Sequence, residues 1–259
     1  MTKEDIIMKI IFLTNKCSHG AELLKAIKTA GIQISAIVIE KKTVQSMKKT
    51  LKRITKKGYG ELFMFLLRKI KQQFIWKNYE EWRSEEYYHT FSDEVITVDN
   101  FNSIQCEQII REIDPDIIVL GGSRILKNNI IKIPKIGILN AHPGLLPEYR
   151  GVDVIPWAII NGDDIGVSVH FIDAGIDTGK ICVQEKIPLM RNDTIPILRK
   201  RAETLAGELM AKTLQTIIKN GKCPTFPNPK EKGKQFYKMD SKTLKSAEKR
   251  LQERLKNVK

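Results

Sequence analysis

The chain has 259 residues, of which 42% are hydrophobic and 29% are charged, a composition that excludes a wholly disordered protein. No apolar run reaches the roughly 18 to 20 residues that a membrane-spanning helix needs. The formal net charge of +14 is concentrated in two segments: residues 41–77 hold twelve basic side chains against one acid, and residues 226–259 hold eleven against four, so the rest of the chain is slightly acidic.

The first half of the sequence predicts strands and helices in alternation. An apolar run at residues 8–13 leads through a turn into an amphipathic stretch at residues 21–29, which is typical of a strand followed by a helix. Further strands are predicted at residues 32–40, 95–98, 117–120 and 136–141, and a helix at residues 104–113. Because these strands are apolar without polar alternation, we predict a doubly wound, mostly parallel α/β sheet, which binds ligands beyond the carboxyl ends of its strands.

An insertion of about fifty residues, 42–93, separates the second and third predicted strands and is too long for an ordinary connection. Its apolar residues recur at helical spacing among lysines, so we predict two basic amphipathic helices that are interrupted near Gly58 and Gly60. The end of the insertion is rich in aromatic side chains, which we expect to pack on the domain: Trp76, Tyr79, Trp82, Tyr87 and Tyr88.

The second half of the sequence continues the sheet and ends in a separate tail. Its predicted elements are strands at residues 167–172 and 180–188, a helix at residues 194–218, a Pro-punctuated linker at residues 221–233 and a charged helix at residues 241–256. We therefore divide the chain into a large domain at residues 1–220, which contains the basic helical insertion 42–93, and a linker with a basic helical tail at residues 221–259.

Four cysteines, Cys17, Cys106, Cys182 and Cys223, are widely separated in the sequence and have no paired metal-ligand spacing. We therefore predict free thiols in a reducing cytosol and no metal site. The N-terminal residues carry acids and lead directly into the first strand, without the basic flank, apolar core and cleavage site of a signal peptide. We accordingly expect a cytoplasmic protein.

The stretch with the most chemical information is Asn140-Ala-His142-Pro-Gly-Leu-Leu-Pro147-Glu-Tyr-Arg-Gly151, at the end of the fifth predicted strand. Alternate residues of a strand face the same way, so Asn140 and His142 project together beyond the sheet. A carboxamide beside an imidazole suits a reaction in which an oxygen gains charge while a nitrogen loses a proton, and two acids follow at residues 172–179. From these residues alone, an acyl-transfer site, a hydrolytic site and a structural histidine remain open.

Four motifs in this order resemble the formyltransferase family that uses 10-formyltetrahydrofolate. The first is the stretch just quoted, and the others are Trp157-Ala-Ile-Ile-Asn-Gly162, Gly166-Val-Ser-Val-His170 and Ile176-Asp-Thr-Gly179. Members of this family formylate glycinamide ribonucleotide, methionyl-tRNA or amines on nucleotide sugars. The resemblance covers roughly residues 8–188 apart from the insertion, and it implies a Rossmann-like catalytic domain of one-carbon metabolism.

The resemblance implies a catalytic trio at Asn140, His142 and Asp177. In this role Asn140 donates a hydrogen bond to the oxyanion that forms when an amine attacks the formyl carbon, and protonated His142 adds charge complementarity. Asp177 favours the imidazolium and, through an ordered water, moves the proton towards the departing folate nitrogen. The resemblance also implies a cis peptide bond before Pro147, whereas His170 is expected to be structural.

A second segment, Gly121-Gly-Ser-Arg-Ile-Leu126, resembles the part of the family whose backbone groups pair with the pterin-like ring. The cofactor-binding residues that we expect are Ser123, Arg124, Ile125, Leu126, Ile172 and Asp173, the last of which also shapes its loop. An ordinary strand-to-helix loop is the alternative. After the first strand, Ser18 and Gly20 open a helix whose N-terminal amides could hold a phosphate, although an ordinary helix cap explains them equally well.

The sequence leaves three functions open. The first is formylation of a small primary amine, such as an amino sugar on a nucleotide. The second is formylation of initiator tRNA, with the basic residues 41–77 against the acceptor stem, but enzymes of this kind usually continue into a C-terminal β-barrel that we do not expect here. The third is a non-catalytic basic module that binds nucleic acid or an anionic membrane surface. The intact trio favours an enzyme, and the helical tail favours the small amine.

Overall fold

The computed structural model describes residues 8–41, 55 and 81–256. Its strands are β1 (Ile10–Thr14), β2 (Ala36–Glu40), β3 (Val95–Val98), β4 (Ile117–Gly121), β5 (Gly137–His142), β6 (Tyr149–Gly151), β7 (Ile165–Phe171), β8 (Ile181–Ile187) and β9 (Lys234–Phe236). Its α-helices are α1 (Ser18–Thr29), α2 (Glu86–His89), α3 (Ile104–Ile113), α4 (Asn128–Ile131), α5 (Val154–Asn161), α6 (Ile195–Asn220) and α7 (Ser241–Leu255). The predicted insertion helices, with Trp76 and Tyr79, lie outside the described residues.

The central sheet has seven strands in the order β3-β2-β1-β4-β5-β7-β8. The first five of these are parallel, and β7 and β8 add antiparallel strands at one edge. The predicted mostly parallel α/β fold is therefore confirmed, with element ends within a few residues of their predicted positions. The chain leaves β1 towards β2 on one side and later returns to β4 on the other, and this reversal opens a crevice at the carboxyl ends of the two strands.

Helices cover both faces of the sheet, because both faces are apolar. One hydrophobic core contains Leu24 of α1, Leu214 of α6 and Leu251 of α7. The other contains Cys106 of α3 and Ile130 of α4. Each fully buried aliphatic side chain contributes about 1.5 to 3 kcal/mol of transfer free energy, so the two cores hold the crevice on a stable frame. Within the part of the chain that the structure describes, no helix has the length and apolar character to cross a membrane.

The described end of the insertion returns to the sheet through aromatic packing. Tyr88 is fully buried, Tyr87 is nearly so, and their rings meet edge to face with centroids 5.3 Å apart. Trp82 is partly buried against the same core. The expectation that the aromatic end of the insertion packs on the domain is confirmed for these three residues.

The turn after β5 brings the chain to β6 through a cis peptide bond between Leu146 and Pro147, which confirms the prediction. Leu146 is buried, and its backbone N–H donates to Oγ of Ser168 at 3.1 Å. Nε2 of Gln184 donates to O of Leu146 at 2.6 Å. These contacts fix β6 close to the end of β5.

The C-terminal residues pack against the large domain. β9 pairs in parallel with β6, and Phe236 stacks on Tyr149 with ring centroids 5.1 Å apart. Gly151 permits this approach, because its φ is +99° and a Cβ there would lie 2.2 Å from O of Phe236. α7 packs on α5, and Oδ1 of Asp240 caps α7 by accepting from Lys242 N and Thr243 N. The sequence pattern does not predict β6, β9 or α5, because two of them are three-residue strands and α5 is apolar without a polar face.

Candidate active site

A cleft of about 570 Å³ lies at the carboxyl ends of β1, β4 and β5. Every predicted site residue lines it: Asn140, His142, Asp177, Ser123, Arg124, Ile125, Leu126, Ile172 and Asp173. These residues come from the loop after β4, the end of β5 and the loop between β7 and β8. They converge because parallel strands place their carboxyl ends at one edge of the sheet.

His142 and Asp177 form a close imidazole–carboxylate pair. Nδ1 of His142 lies 3.6 Å from Oδ2 of Asp177, and both side chains are largely buried. Nε2 of His142 lies 2.7 Å from the backbone oxygen of Tyr149. Because a carbonyl oxygen only accepts hydrogen bonds, Nε2 carries a proton, and Nδ1 is the ring nitrogen that faces Asp177.

The imidazole of His142 is neutral before the reaction. Burial, the largest influence, lowers the pKa of His142, and the charge of Asp177 opposes that effect only in part. The ring is therefore neutral near pH 7. Nδ1 is then the basic nitrogen, and a proton that arrives there faces the carboxylate.

Asp177 is held as a carboxylate. Burial raises the pKa of its carboxyl, but His142, His170 and the backbone N–H of Gly151 favour the charged form and together lower the pKa to about 2. The Gly151 N–H donates to Oδ2 at 2.8 Å. The backbone of Asp177 has a φ of +50°, in the left-handed region that residues other than glycine adopt with strain. A strained backbone conformation at Asp177 thus accompanies the placement of its carboxylate beside two imidazole rings.

His170 orients Asn140. The register between β5 and β7 places the two residues opposite each other, and Nδ2 of Asn140 lies 3.2 Å from Nε2 of His170. Nδ1 of His170 lies 2.8 Å from O of Phe171, so Nδ1 carries the proton and Nε2 accepts from Asn140. Nε2 of His170 also lies 3.6 Å from Oδ1 of Asp177. His170 therefore fixes the orientation of the Asn140 amide, which has a second N–H for an oxygen bound in the cleft.

Two further side chains shape the loop that carries Asp177. Oδ1 of Asp173 accepts hydrogen bonds from Gly175 N, at 2.9 Å, and from the hydroxyl of Thr178. Asn228, in the segment before β9, donates through Nδ2 to O of Asp177 at 3.0 Å and to O of Gly179 at 2.9 Å. Asn228 is not predicted from the sequence, because a single asparagine in a Pro-rich segment gives no local signal of this long-range contact.

The part of the cleft next to β4 is apolar and formed by a tight turn. Gly122 has a φ of +89°, and Ile125 is 69% exposed in the cleft. Nε of Arg124 donates to the buried carboxylate of Glu40 at 2.7 Å, which fixes the turn to β2. Apolar side chains beside the backbone groups of a rigid turn are a surface that can hold a flat heterocycle.

A second group of cleft residues is polar and was not assigned from the sequence. Arg199 of α6 donates through Nη2 to Oδ1 of Asp153 at 2.7 Å, and 43% of its side chain remains exposed. Burial and the charge of His142 lower the pKa of His19 to about 4, so His19 presents a neutral imidazole. Tyr237, directly after β9, is 68% exposed in the same cleft.

The start of α1 corrects one of the two interpretations of Ser18. The residue that caps α1 is Cys17, which makes no side-chain cap hydrogen bond. Oγ of Ser18 instead donates to Oε1 of Glu203 in α6, at 2.8 Å. The helix-cap interpretation of Ser18 is therefore wrong, because this hydroxyl joins two helices. Over residues 8–41, 55 and 81–256, no group of three or more His, Cys, Asp or Glu side chains could hold a metal ion.

The fold and the cleft define a doubly wound α/β enzyme whose site combines a carboxamide, an imidazole and a carboxylate. The model of the formyl transferase family matches residues 8–214. The chain therefore belongs to the formyl transferase family.

Two curated methionyl-tRNA formyltransferases are similar to part of this chain. The methionyl-tRNA formyltransferase of Halothermothrix orenii is 34% identical over 156 residues, which are 60% of this chain and 49% of that protein. The corresponding protein of Methylacidiphilum infernorum is 38% identical over 51% of this chain and 42% of its own length. The matched part of the chain thus spans about half the length of these curated relatives or less.

Solved structures share the fold at low identity. A 4-N formyltransferase from Francisella tularensis matches with a TM-score of 0.58 and 17% identity, over 95% of this chain and 88% of that one. Glycinamide ribonucleotide transformylase 1 from Symbiobacterium toebii matches with a TM-score of 0.57 and 17% identity, over 83% of this chain and 89% of that one. At these identities the likeness supports the architecture alone.

Proposed function

We propose that this protein transfers a formyl group from 10-formyltetrahydrofolate to a primary amine. The observation that carries the proposal is the convergence of Asn140, His142 and Asp177 at the end of β5. Nδ1 of His142 lies 3.6 Å from Oδ2 of Asp177. These side chains supply a hydrogen-bond donor, a neutral base and a fixed negative charge, which are the groups that amine formylation requires. Membership of the formyl transferase family supports the same reaction.

The three residues stabilise the charge that develops on the formyl oxygen and transfer one proton from the amine to the folate nitrogen. Bound 10-formyltetrahydrofolate supplies a formyl group on nitrogen, and attack by an amine places negative charge on the formyl oxygen and a surplus proton on the amine. Asn140, oriented by His170, donates its second N–H to that oxygen. Nδ1 of His142 accepts the surplus proton, directly or through a water, and Asp177 stabilises the resulting imidazolium. The same nitrogen then delivers the proton to the departing folate nitrogen.

The folate would be held by the turn after β4 and the loop before β8. Ile125, Leu126 and Ile172 supply apolar contacts, and the backbone around Ser123 and Arg124 supplies hydrogen-bonding groups. Asp173 contributes by fixing the loop through its bond to Gly175 N. This assignment predicts that tetrahydrofolate protects the turn after β4 from hydrogen exchange.

The acceptor that the cleft favours is a small-molecule amine, such as an amino sugar on a nucleotide. Arg199 keeps an exposed guanidinium beside Asp153, which suits contact with a phosphate, and Tyr237 presents an exposed ring. Both lie in the same 570 Å³ cleft as the trio, so a compact acceptor could reach all of them at once.

Initiator tRNA is the second candidate acceptor. The similarity to methionyl-tRNA formyltransferases favours it, as does the basic segment 41–77. Apart from Lys41 and Thr55, that segment lies outside the described residues, so its contribution is a proposal from charge alone.

One experiment separates these functions. The purified full chain is incubated with 10-formyltetrahydrofolate and, in parallel, with charged initiator tRNA, glycinamide ribonucleotide and a panel of amino-sugar nucleotides. We expect formylation of at least one amino-sugar nucleotide, a much lower rate of formylation by folded Asp177→Asn, and little product from tRNA. Product from tRNA alone would select the second candidate, and an absence of product with every acceptor would favour the non-catalytic module.

A further inference from the structure

Cys182 and Cys223 form a thiol pair outside the cleft. They are 41 residues apart in the sequence, yet their Sγ atoms lie 3.3 Å apart. Cys182 lies near the start of β8, Cys223 follows α6, and both are partly exposed. The other two cysteines lie elsewhere: Cys106 is a buried residue of α3, and Cys17 has its Sγ 3.2 Å from O of Gly121.

Backbone hydrogen bonds hold the two thiols in this position. Phe226 N donates to O of Ile181 at 2.9 Å, and Ile181 N donates to O of Phe226 at 3.1 Å. This antiparallel bridge joins the residue before Cys182 to a residue shortly after Cys223. A disulfide bond is about 2.05 Å long, so the sulfurs need to approach by little more than an ångström.

We propose that Cys182 and Cys223 are a site of reversible thiol oxidation, which takes a peroxide as its oxidant and forms an intramolecular disulfide. The site is separate from formyl transfer, and its test does not depend on the proposed function.

The reaction follows ordinary thiol chemistry. One of the two cysteines, as its thiolate, attacks one oxygen of hydrogen peroxide, the O–O bond breaks, and a sulfenic acid and hydroxide form. The sulfur of the other cysteine then attacks the sulfenic sulfur, the S–S bond forms, and the sulfenic oxygen leaves as water with the proton of the second thiol. Two thiols are oxidised and one peroxide is reduced to two waters.

The contact between the two sulfurs lets either cysteine resolve the other. Their Sγ atoms lie 3.3 Å apart, so the sulfur that peroxide oxidises first has its partner within reach. Either single substitution removes that partner, and each therefore tests the pair.

The disulfide would tie the segment before β9 to β8. This segment carries Asn228, which bonds the backbone oxygens of Asp177 and Gly179. The cross-link would thus reinforce the contacts that hold the loop of Asp177. It would also close a loop of about forty residues in the unfolded chain, so the oxidised protein should be the more stable form.

The experiment uses the full chain, first reduced and then treated with hydrogen peroxide under native conditions. We expect the four free thiols to fall to two, with a mass loss of about 2 Da, a Cys182–Cys223 peptide on digestion, and a Tm higher by roughly 5 °C or more until dithiothreitol is added. Cys182→Ser and Cys223→Ser should each form no intramolecular disulfide, and in at least one of them dimedone should trap a sulfenic acid at the cysteine that remains.

Cys17→Ser is the matched control, because it removes one thiol and leaves the pair. It should form the disulfide as the unchanged chain does. Retention of all four thiols, or a bond that joins other cysteines or two chains, would overturn the proposal. A disulfide that forms without raising the Tm would overturn the reinforcement of the Asp177 loop.

Discussion

The amide of Asn140 makes one hydrogen bond to His170 and has a second N–H for an oxygen in the cleft. Asn140→Ala removes this donor and leaves the apolar folate wall unchanged. We expect kcat to fall by about 100- to 1000-fold, the usual cost of losing an oxyanion donor, while the Kd for tetrahydrofolate changes by less than about twofold. Steady-state kinetics and fluorescence titration measure the two effects. Turnover close to normal would exclude an oxyanion role for Asn140.

The neutral state of His142 predicts the pH dependence. Because burial lowers the pKa of His142 below 6.5, kcat/KM should stay constant on lowering the pH to 6.5 and fall only below that value, as the base becomes protonated. The charge of Asp177 raises the pKa of His142. In Asp177→Asn, the fall of kcat/KM at acidic pH, which is the acidic limb of the profile, should therefore move to lower pH, while the rate decreases at every pH. Rate profiles of both proteins with the same acceptor test this. A limb that moves to higher pH in the variant would contradict the assignment.

At the scale of elements, the pairing of β6 with β9 depends on Gly151. Gly151→Ala places a Cβ 2.2 Å from O of Phe236 at a φ of +99°, so β6 and β9 must move apart. This movement also displaces the backbone N–H of residue 151, which donates a hydrogen bond to Asp177. We expect a loss of about 2 to 4 kcal/mol in the free energy of unfolding, together with lower turnover. Denaturant unfolding and kinetics measure these effects.

Gly31→Ala is the matched control for this prediction. Gly31 also has a left-handed backbone, with a φ of +72°, but a Cβ there has no neighbour within 4 Å. It should cost about 1 to 2 kcal/mol through backbone strain alone and leave turnover unchanged. Equal losses in the two variants would show that contact with β9 contributes nothing.

Strands and helices with a regular pattern of buried residues can be predicted from the sequence, whereas contacts between residues far apart in the sequence cannot. β1 and β4 are buried along their whole length because both faces of the sheet are covered, and the two-residue period of β5 was enough to place Asn140 and His142 together. The contact of Asn140 with His170 required the register between β5 and β7. The proximity of Cys182 and Cys223 has no signal in the sequence, because 41 residues separate them.

At the scale of the whole molecule, the question is whether the basic segment 41–77 serves the acceptor. Charge reversal at Lys48, Lys49, Lys52 and Arg53, all outside the described residues, should leave turnover of a small amine largely intact, because surface charge is screened within about 8 Å at physiological salt. If tRNA is the acceptor, the same variant should lose activity, and binding of tRNA should weaken steeply with salt. Formylation assays at several salt concentrations measure both.

A second variant controls for net charge. Reversal at four exposed lysines outside the basic segments, Lys127, Lys132, Lys212 and Lys222, changes the net charge equally and should affect neither acceptor. If reversal in the basic segment abolishes formylation of every small amine while the protein stays folded and binds tetrahydrofolate, the preference for a small-molecule acceptor is wrong.

The donor and the acceptor that β6 offers to the site are both backbone atoms: O of Tyr149 binds His142, and N of Gly151 binds Asp177. A side-chain substitution deletes neither atom. Selection can therefore alter the side chains around this strand, with the exception of Gly151, during divergence to new acceptors, while the inherited backbone path preserves the alignment of the imidazole and the carboxylate.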